Sequence, residues 1–104
     1  MVTILNSSLI TAEGTFELKE ISISDAKETI KDGFISAIGH ESTATIVSTL
    51  LRVTVPMNRI MYTQATGEQA LIFKLNGRAE EGKILDIEEI EAIGFKFQLL
   101  TKTK

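Results

Sequence analysis

The chain has no cysteine and no tryptophan, and only one histidine, one proline and one tyrosine among its 104 residues. Each shortage excludes something. Without cysteine there is no disulfide, no thiolate nucleophile and no thiolate metal site, and the composition suits a reducing cytosol. One histidine cannot anchor a zinc site unaided, because such sites draw three or four ligands from His, Cys and carboxylates. No stretch approaches the ~20 apolar residues of a membrane span. The start "MVTILNSSL" lacks a basic region before its short apolar run and does not read as a signal peptide. There is also no serine-triad motif, no Walker-type phosphate loop and no dinucleotide fingerprint. The expectation is a soluble cytoplasmic protein with no metal, no cofactor and no membrane partner.

Positive charge is scarce too. The net charge is −3, from 14 acidic and 11 basic residues. Binders of long nucleic acid normally present a basic surface, because released counterions drive their affinity. Long nucleic acid is therefore not the expected partner. A small anion remains open, since a few arginines and backbone N–H groups suffice to hold one.

Hydrophobic residues make up 43 % of the chain and charged residues 24 %, the balance of one ordinary globular domain spanning residues 1–104. Residues 2–5, "VTIL", read as a first strand. Residues 14–21 alternate, with Phe16 and Leu18 on one face of a second strand. Ser24 is a candidate N-cap for a helix over 25–32 that ends at Gly33, and "FISAIG" follows as a short strand or turn.

From 41 to 52 the periodicity is helical, with Ala44, Ile46, Val47, Leu50 and Leu51 on one arc. "NRIMYTQ" and "QALIFKL" suggest a hairpin turning at "ATGE". Asp86 and Glu89 fit a capping box for a helix that turns Ile87, Ile90 and Ile93 to the core. Gly94 closes that helix, and "FKFQLL" is a last strand. The pattern predicts an α+β domain: a mixed, mostly antiparallel sheet with helices packed on it.

The lone histidine lies in "SAIGHEST". A histidine without histidine or cysteine company is more often structural than catalytic. Yet His40 sits at the start of a predicted helix, where backbone N–H groups are unpaired and favour an anion. At the edge of the apolar arc its ring should be half covered. Ser42 and Thr43 add hydroxyls at the same end, and imidazole exchanges protons near neutral pH. Gly39 permits close backbone approach by a ligand, although a turn alone also explains it. A second cluster is "GRAEEGKI", where Arg78 offers a fork suited to phosphate oxygens and Glu80 and Glu81 precede Gly82. A solvated charged loop is the plainer reading of that stretch. "MNR", residues 57–59, is a third polar cluster just before a predicted strand.

In order along the chain, "LNSS", "SAIGHEST", "PMNRI" and "NGRAEEGKIL" resemble one family. It comprises the small viral and mobile-element ring nucleases that act as anti-CRISPR proteins against type III systems. The blocks span residues 5 to 85, and their combination is more specific than any piece. The resemblance implies a homodimer that binds cyclic tetra-adenylate and cuts it, without metal, into linear di-adenylate. It implies that His40 is the catalytic histidine and Glu81 its carboxylate partner. It places Asn6, Ser7, Ser8, Gly39, Ser42, Thr43, Asn58, Arg59 and Arg78 in ligand contact or around the site, and implies a host-cell cytoplasmic location if the gene is viral.

The chemistry fits the residue types. A ribose 2′-hydroxyl can attack its own 3′-phosphate in line if the geometry is held, and the departing 5′-oxygen then needs a proton. Imidazolium can donate it, Glu81 could orient the ring, and Arg78 could offset phosphate charge. Two other functions compete with this reading: a non-catalytic module that sequesters a cyclic oligonucleotide, and a structural interaction domain.

Overall fold

The run Ala70–Phe73 has no polar side chain on either side of its pleat, and such a strand must be covered on both faces. The computed structural model describes residues 2–6, 13–60, 62–77 and 86–104, and this run lies at the centre of its sheet. Among the described residues the elements are β1 (Val2–Leu5), β2 (Phe16–Ile21), α1 (Ile23–Ile30), β3 (Phe34–Ser36) and α2 (Glu41–Leu51). They continue with β4 (Gln69–Leu75), α3 (Ile87–Ile93) and β5 (Phe95–Lys102).

The strand order is β2-β5-β4-β1-β3. β5 is antiparallel to both β2 and β4, in ladders running from Phe16↔Lys102 to Ile21↔Phe97 and from Gln69↔Thr101 to Leu75↔Phe95. The short β1 is parallel to β3 and to β4, with Ile4 beside Ser36 and Leu71. The α+β expectation holds, with a mixed sheet whose antiparallel ladders are the longer ones.

All three helices cover one face. Ala26 and Ile30 of α1, the apolar arc of α2 and Ile90 of α3 form one cluster with Ile4, Leu71, Phe73 and Phe97. Phe73 stands 5.3 Å from Phe97 and 6.0 Å from Phe95, ring centre to ring centre, which adds aromatic packing to the burial. The arc of α2 is buried as its spacing predicts: Ala44, Ile46, Val47, Leu50 and Leu51. α3 carries the expected capping box, with the Asp86 carboxylate accepting from Glu89 N–H at 2.8 Å. Gly94 ends it at φ +88°, where a Cβ would stand 2.7 Å from the Asn76 amide nitrogen.

Three local expectations are corrected. The first helix begins after Ser22, not Ser24, because the Ser22 hydroxyl accepts from Asp25 N–H at 3.1 Å and that register turns Ala26 and Ile30 inward. Ile87 is exposed, whereas Ile90 is fully buried and Ile93 packs at the core's edge. Residues three apart on a helix diverge by about 60°, so Ile90 takes the centre of the arc and Ile87 its open flank.

The third correction concerns the hairpin. "NRIMYTQ" does not pair with β4, whose two edges are taken by β1 and β5. The described part of that stretch joins no ladder. Within it, Tyr62 packs on the sheet face opposite the helices, against Leu5, Ala37, Ala70, Ile72 and Leu100. The Gln64 side-chain amide donates to Glu68 O at 2.6 Å and Leu100 O at 2.9 Å, in place of a ladder. The turn at 65–68 is real, with Glu68 N–H bonded to Ala65 O at 3.0 Å.

Two measurements check this account. Asp86→Ala should lower stability by about 1 kcal/mol, read as a lower denaturant midpoint at unchanged slope. Desolvation by burial, then the charge of Glu68, raises the Tyr62 pKa above its ordinary 10.0, against a hydrogen bond from Thr3. The folded chain thus holds the phenol proton more tightly than the unfolded one. Its contribution to stability is intact below pH 10 and is lost as pH rises through the folded value. With one tyrosine and no tryptophan, absorbance titration reads this directly: the midpoint should exceed 10.0 and fall in Glu68→Gln.

Candidate functional site

β1 and β3 run parallel, so their carboxyl ends open at the same edge of the sheet, where open α/β sheets usually bind ligands. The residues just beyond those ends are Asn6 and Ala37, and the chain then turns through Gly39 into α2. Asn6, Ala37, Gly39, His40, Arg59 and Ile60 line one open cleft of about 550 Å³ there, a size suited to a small ligand. Three segments far apart in sequence meet in it.

His40 is the N-cap of α2, in extended backbone conformation at φ −128° and ψ 130°. The N-cap usually holds a short oxygen-bearing side chain that accepts from the first-turn N–H groups. Imidazole does not do so here, and the His40 side chain makes no capping bond. The helix start therefore keeps its partial positive charge for another acceptor. Ser42 and Thr43 follow in that first turn, both half-buried. His40 is exposed, at the N-cap position just outside the helix.

Arg59 reaches back across this turn. Its Nε donates to Gly39 O at 2.8 Å, and a Cβ on residue 39 would stand 3.3 Å from Arg59 Cγ. A side chain at residue 39 would press on the arginine stem, which would have to give by a few tenths of an ångström. With Nε engaged, the terminal guanidinium nitrogens are the part of Arg59 that can reach an anion in the cleft.

Asn58 behaves differently from its neighbour. Its side-chain amide donates to Ser36 O at 2.8 Å and its backbone N–H to Ile38 O at 2.8 Å. The structure thus brings together Asn6, Gly39, His40 and Arg59, while the Asn58 amide is turned to the loop backbone. Ser7, Ser8, Arg78 and Glu81 lie outside the described residues.

Three residues that matter to the site were not singled out from sequence. Ile60 lines the cleft and is 45 % exposed. Ser36 is buried, and its Oγ donates to Pro56 O at 2.6 Å. The Ser48 Oγ accepts from Val55 N–H at 2.8 Å and donates to Ala44 O at 2.7 Å, tying Val55 to α2. The signal for Ser36 is its place in period two with Phe34, a hydroxyl at an inward strand position; nothing local marks the other two. Among the described residues no three of His, Asp and Glu gather as a metal site requires, and no helix is long and apolar enough to cross a membrane.

Relatives exist in archaeal viruses and in a bacterium. Residues 2–97 match the family model described as STIV B116-like. The chain is 39 % identical to "Uncharacterized protein 26" of Sulfolobus islandicus filamentous virus, over 95 % of this chain and 89 % of that protein. It is 31 % identical to "Uncharacterized protein YddF" of Bacillus subtilis, over 97 % of this chain and 96 % of that protein. Its fold matches the solved structure of B116 of Sulfolobus turreted icosahedral virus, with a TM-score of 0.84 and 26 % identity. That match covers 96 % of this chain and 97 % of B116. A match over nearly the whole chain, in sequence and in structure, places this protein in the STIV B116-like family.

Proposed function

We propose that this protein is a metal-independent ring nuclease that opens cyclic tetra-adenylate to linear di-adenylate and so switches off type III CRISPR signalling. The observation that carries this reading is the meeting of Asn6, Gly39, His40 and Arg59 in one cleft at the start of α2. Those residues come from three of the blocks on which the resemblance to ring nucleases rests.

The reaction makes modest demands on the protein. The ribose 2′-hydroxyl gives its proton to solvent as its oxygen attacks the adjacent 3′-phosphorus, the bond to the next nucleotide's 5′-oxygen breaks, and a 2′,3′-cyclic phosphate remains. Holding the nucleophile in line supplies several kcal/mol of the barrier. His40 as imidazolium protonates the leaving 5′-oxygen, a step typically worth ~10²–10⁴ in rate. Arg59 and the first-turn N–H groups of α2 face the negative charge that grows on the phosphate. Glu81 and Arg78 join the site by resemblance, as the partner of the imidazole and a phosphate fork.

A homodimer belongs to the same reading. A cyclic tetranucleotide contains a two-fold axis, as does the commonest homo-oligomer. Seated on a shared axis, it meets two copies of His40 at opposite phosphates, and each basic side chain serves twice. Support for a second copy comes from exposed apolar side chains near the cleft, Met57 at 50 % and Ile60 at 45 %. Ile35, on the sheet face opposite the helices, is 43 % exposed.

Incubation with cyclic tetra-adenylate in EDTA tests the proposal. Wild type should yield linear di-adenylate, and His40→Ala should be slower by about 10²–10⁴. Tight binding with the ring recovered intact after hours would make the protein a sequestering module instead. Absence of any ligand-induced thermal shift would point to a structural role.

A further inference from the structure

We infer that Asn58 is a positioning residue for His40, acting through Ser36 and the backbone of the β3–α2 loop, and not a contact to the ligand. The kinetic part of this inference rests on the ring-nuclease reading; the spectroscopic part does not.

Residues 36–40 carry the chain from β3 to the N-cap of α2, and residues 55–59 run alongside them. Two side chains and one backbone N–H join the two segments into a clamp. Asn58 N–H donates to Ile38 O at 2.8 Å, and its Nδ2 donates to Ser36 O at 2.8 Å. In return, Ser36 Oγ donates to Pro56 O at 2.6 Å and accepts from Ile38 N–H at 3.4 Å. The next residues continue the pattern, with Arg59 Nε on Gly39 O at 2.8 Å. The carbonyls of residues 36, 38 and 39 are therefore all held from the same side. Ser48 fixes the start of the second segment at Val55, whose side chain is buried at 3 % exposure.

The consequence for His40 follows from what else holds it. Its side chain makes no capping bond to α2, so the imidazole stands where the loop backbone puts it. The carbonyls of Ile38 and Gly39 immediately precede it. The Asn58 amide is turned to Ser36 O and does not line the cleft, while Asn6 and Arg59 do. Ser36, at 4 % exposure, is too buried to touch a ligand. Removing either side chain should therefore disturb the same thing, the placement of the N-cap.

The test compares Asn58→Ala, Ser36→Ala and the double variant with wild type. Steady-state kinetics on cyclic tetra-adenylate should show kcat down about tenfold in each single variant, with KM within about twofold. The double variant should be little slower than the worse single one, because the two side chains form one clamp. The chain's single histidine also gives one imidazole Hε1–Cε1 resonance, assignable without ambiguity. Both single variants should move that resonance in the same direction.

A rise in KM at unchanged kcat in Asn58→Ala would make Asn58 a ligand contact and overturn the inference. Additive losses in the double variant, or an unmoved His40 resonance, would overturn it as well. If Asn58→Ala does not fold, Ser36→Ala alone must still lower kcat and move the resonance. If wild type leaves the ring intact, the ring-nuclease reading falls, and the His40 resonance alone decides the clamp: shifted in Ser36→Ala it stands, unshifted it fails.

Discussion

Ala70, Leu71, Ile72 and Phe73 are each at most 1 % exposed, on a strand covered above and below. Water reaches none of their backbone groups, so every N–H and C=O of that stretch must be satisfied sideways, by a neighbouring strand on each edge. β1 and β5 meet that demand, one parallel and one antiparallel. The rest of the layout depends on it. β1 lies parallel to β4 and β3 parallel to β1, so the carboxyl ends of β1 and β3 coincide and α2 begins at that edge. The cleft lined by Asn6 and His40 is a product of strand pairing around a doubly buried strand.

Around the cleft the chain is held by another kind of contact. Ser36, Asn58, Arg59 and Gln64 each bond to main-chain atoms of a segment far away in sequence, and Ser48 to Val55 just past its own helix. Each such bond is worth on the order of 1 kcal/mol, and a run of them can hold an unladdered segment in one place. That arrangement keeps residues 55–60 out of the sheet while fixing them beside the histidine. On the proposed reading, a small chain with one histidine thereby places a single acid group accurately. In the proposed dimer the same group is supplied twice.

Local signals carried a long way. The apolar arc of α2, the Asp86–Glu89 capping box, Gly94 at the end of α3, and the strands at 2–5 and 95–100 all act within one or two turns or a few pleats. They are legible because the interactions that decide them lie within those few residues. The special place of His40 at a helix start was legible for the same reason.

Partner choice was beyond the sequence. "NRIMYTQ" has the composition of a strand, and whether it pairs is decided at β4, where β1 and β5 arrive from the two ends of the chain. Ser22 and Ser24 are both serines that can cap a helix, and the structure chooses Ser22, with Asp25 in its first turn and Ala26 and Ile30 turned to the core. Asn58 and Arg59 are adjacent polar residues of similar promise in sequence. Tertiary structure gave one to the loop backbone and the other to the cleft, because a short amide reaches Ser36 where a long guanidinium extends past Gly39. The sequence by itself determined which residues are apolar, capped or turned, since those follow from neighbours; which segments meet was decided only when burial made each strand seek its edges.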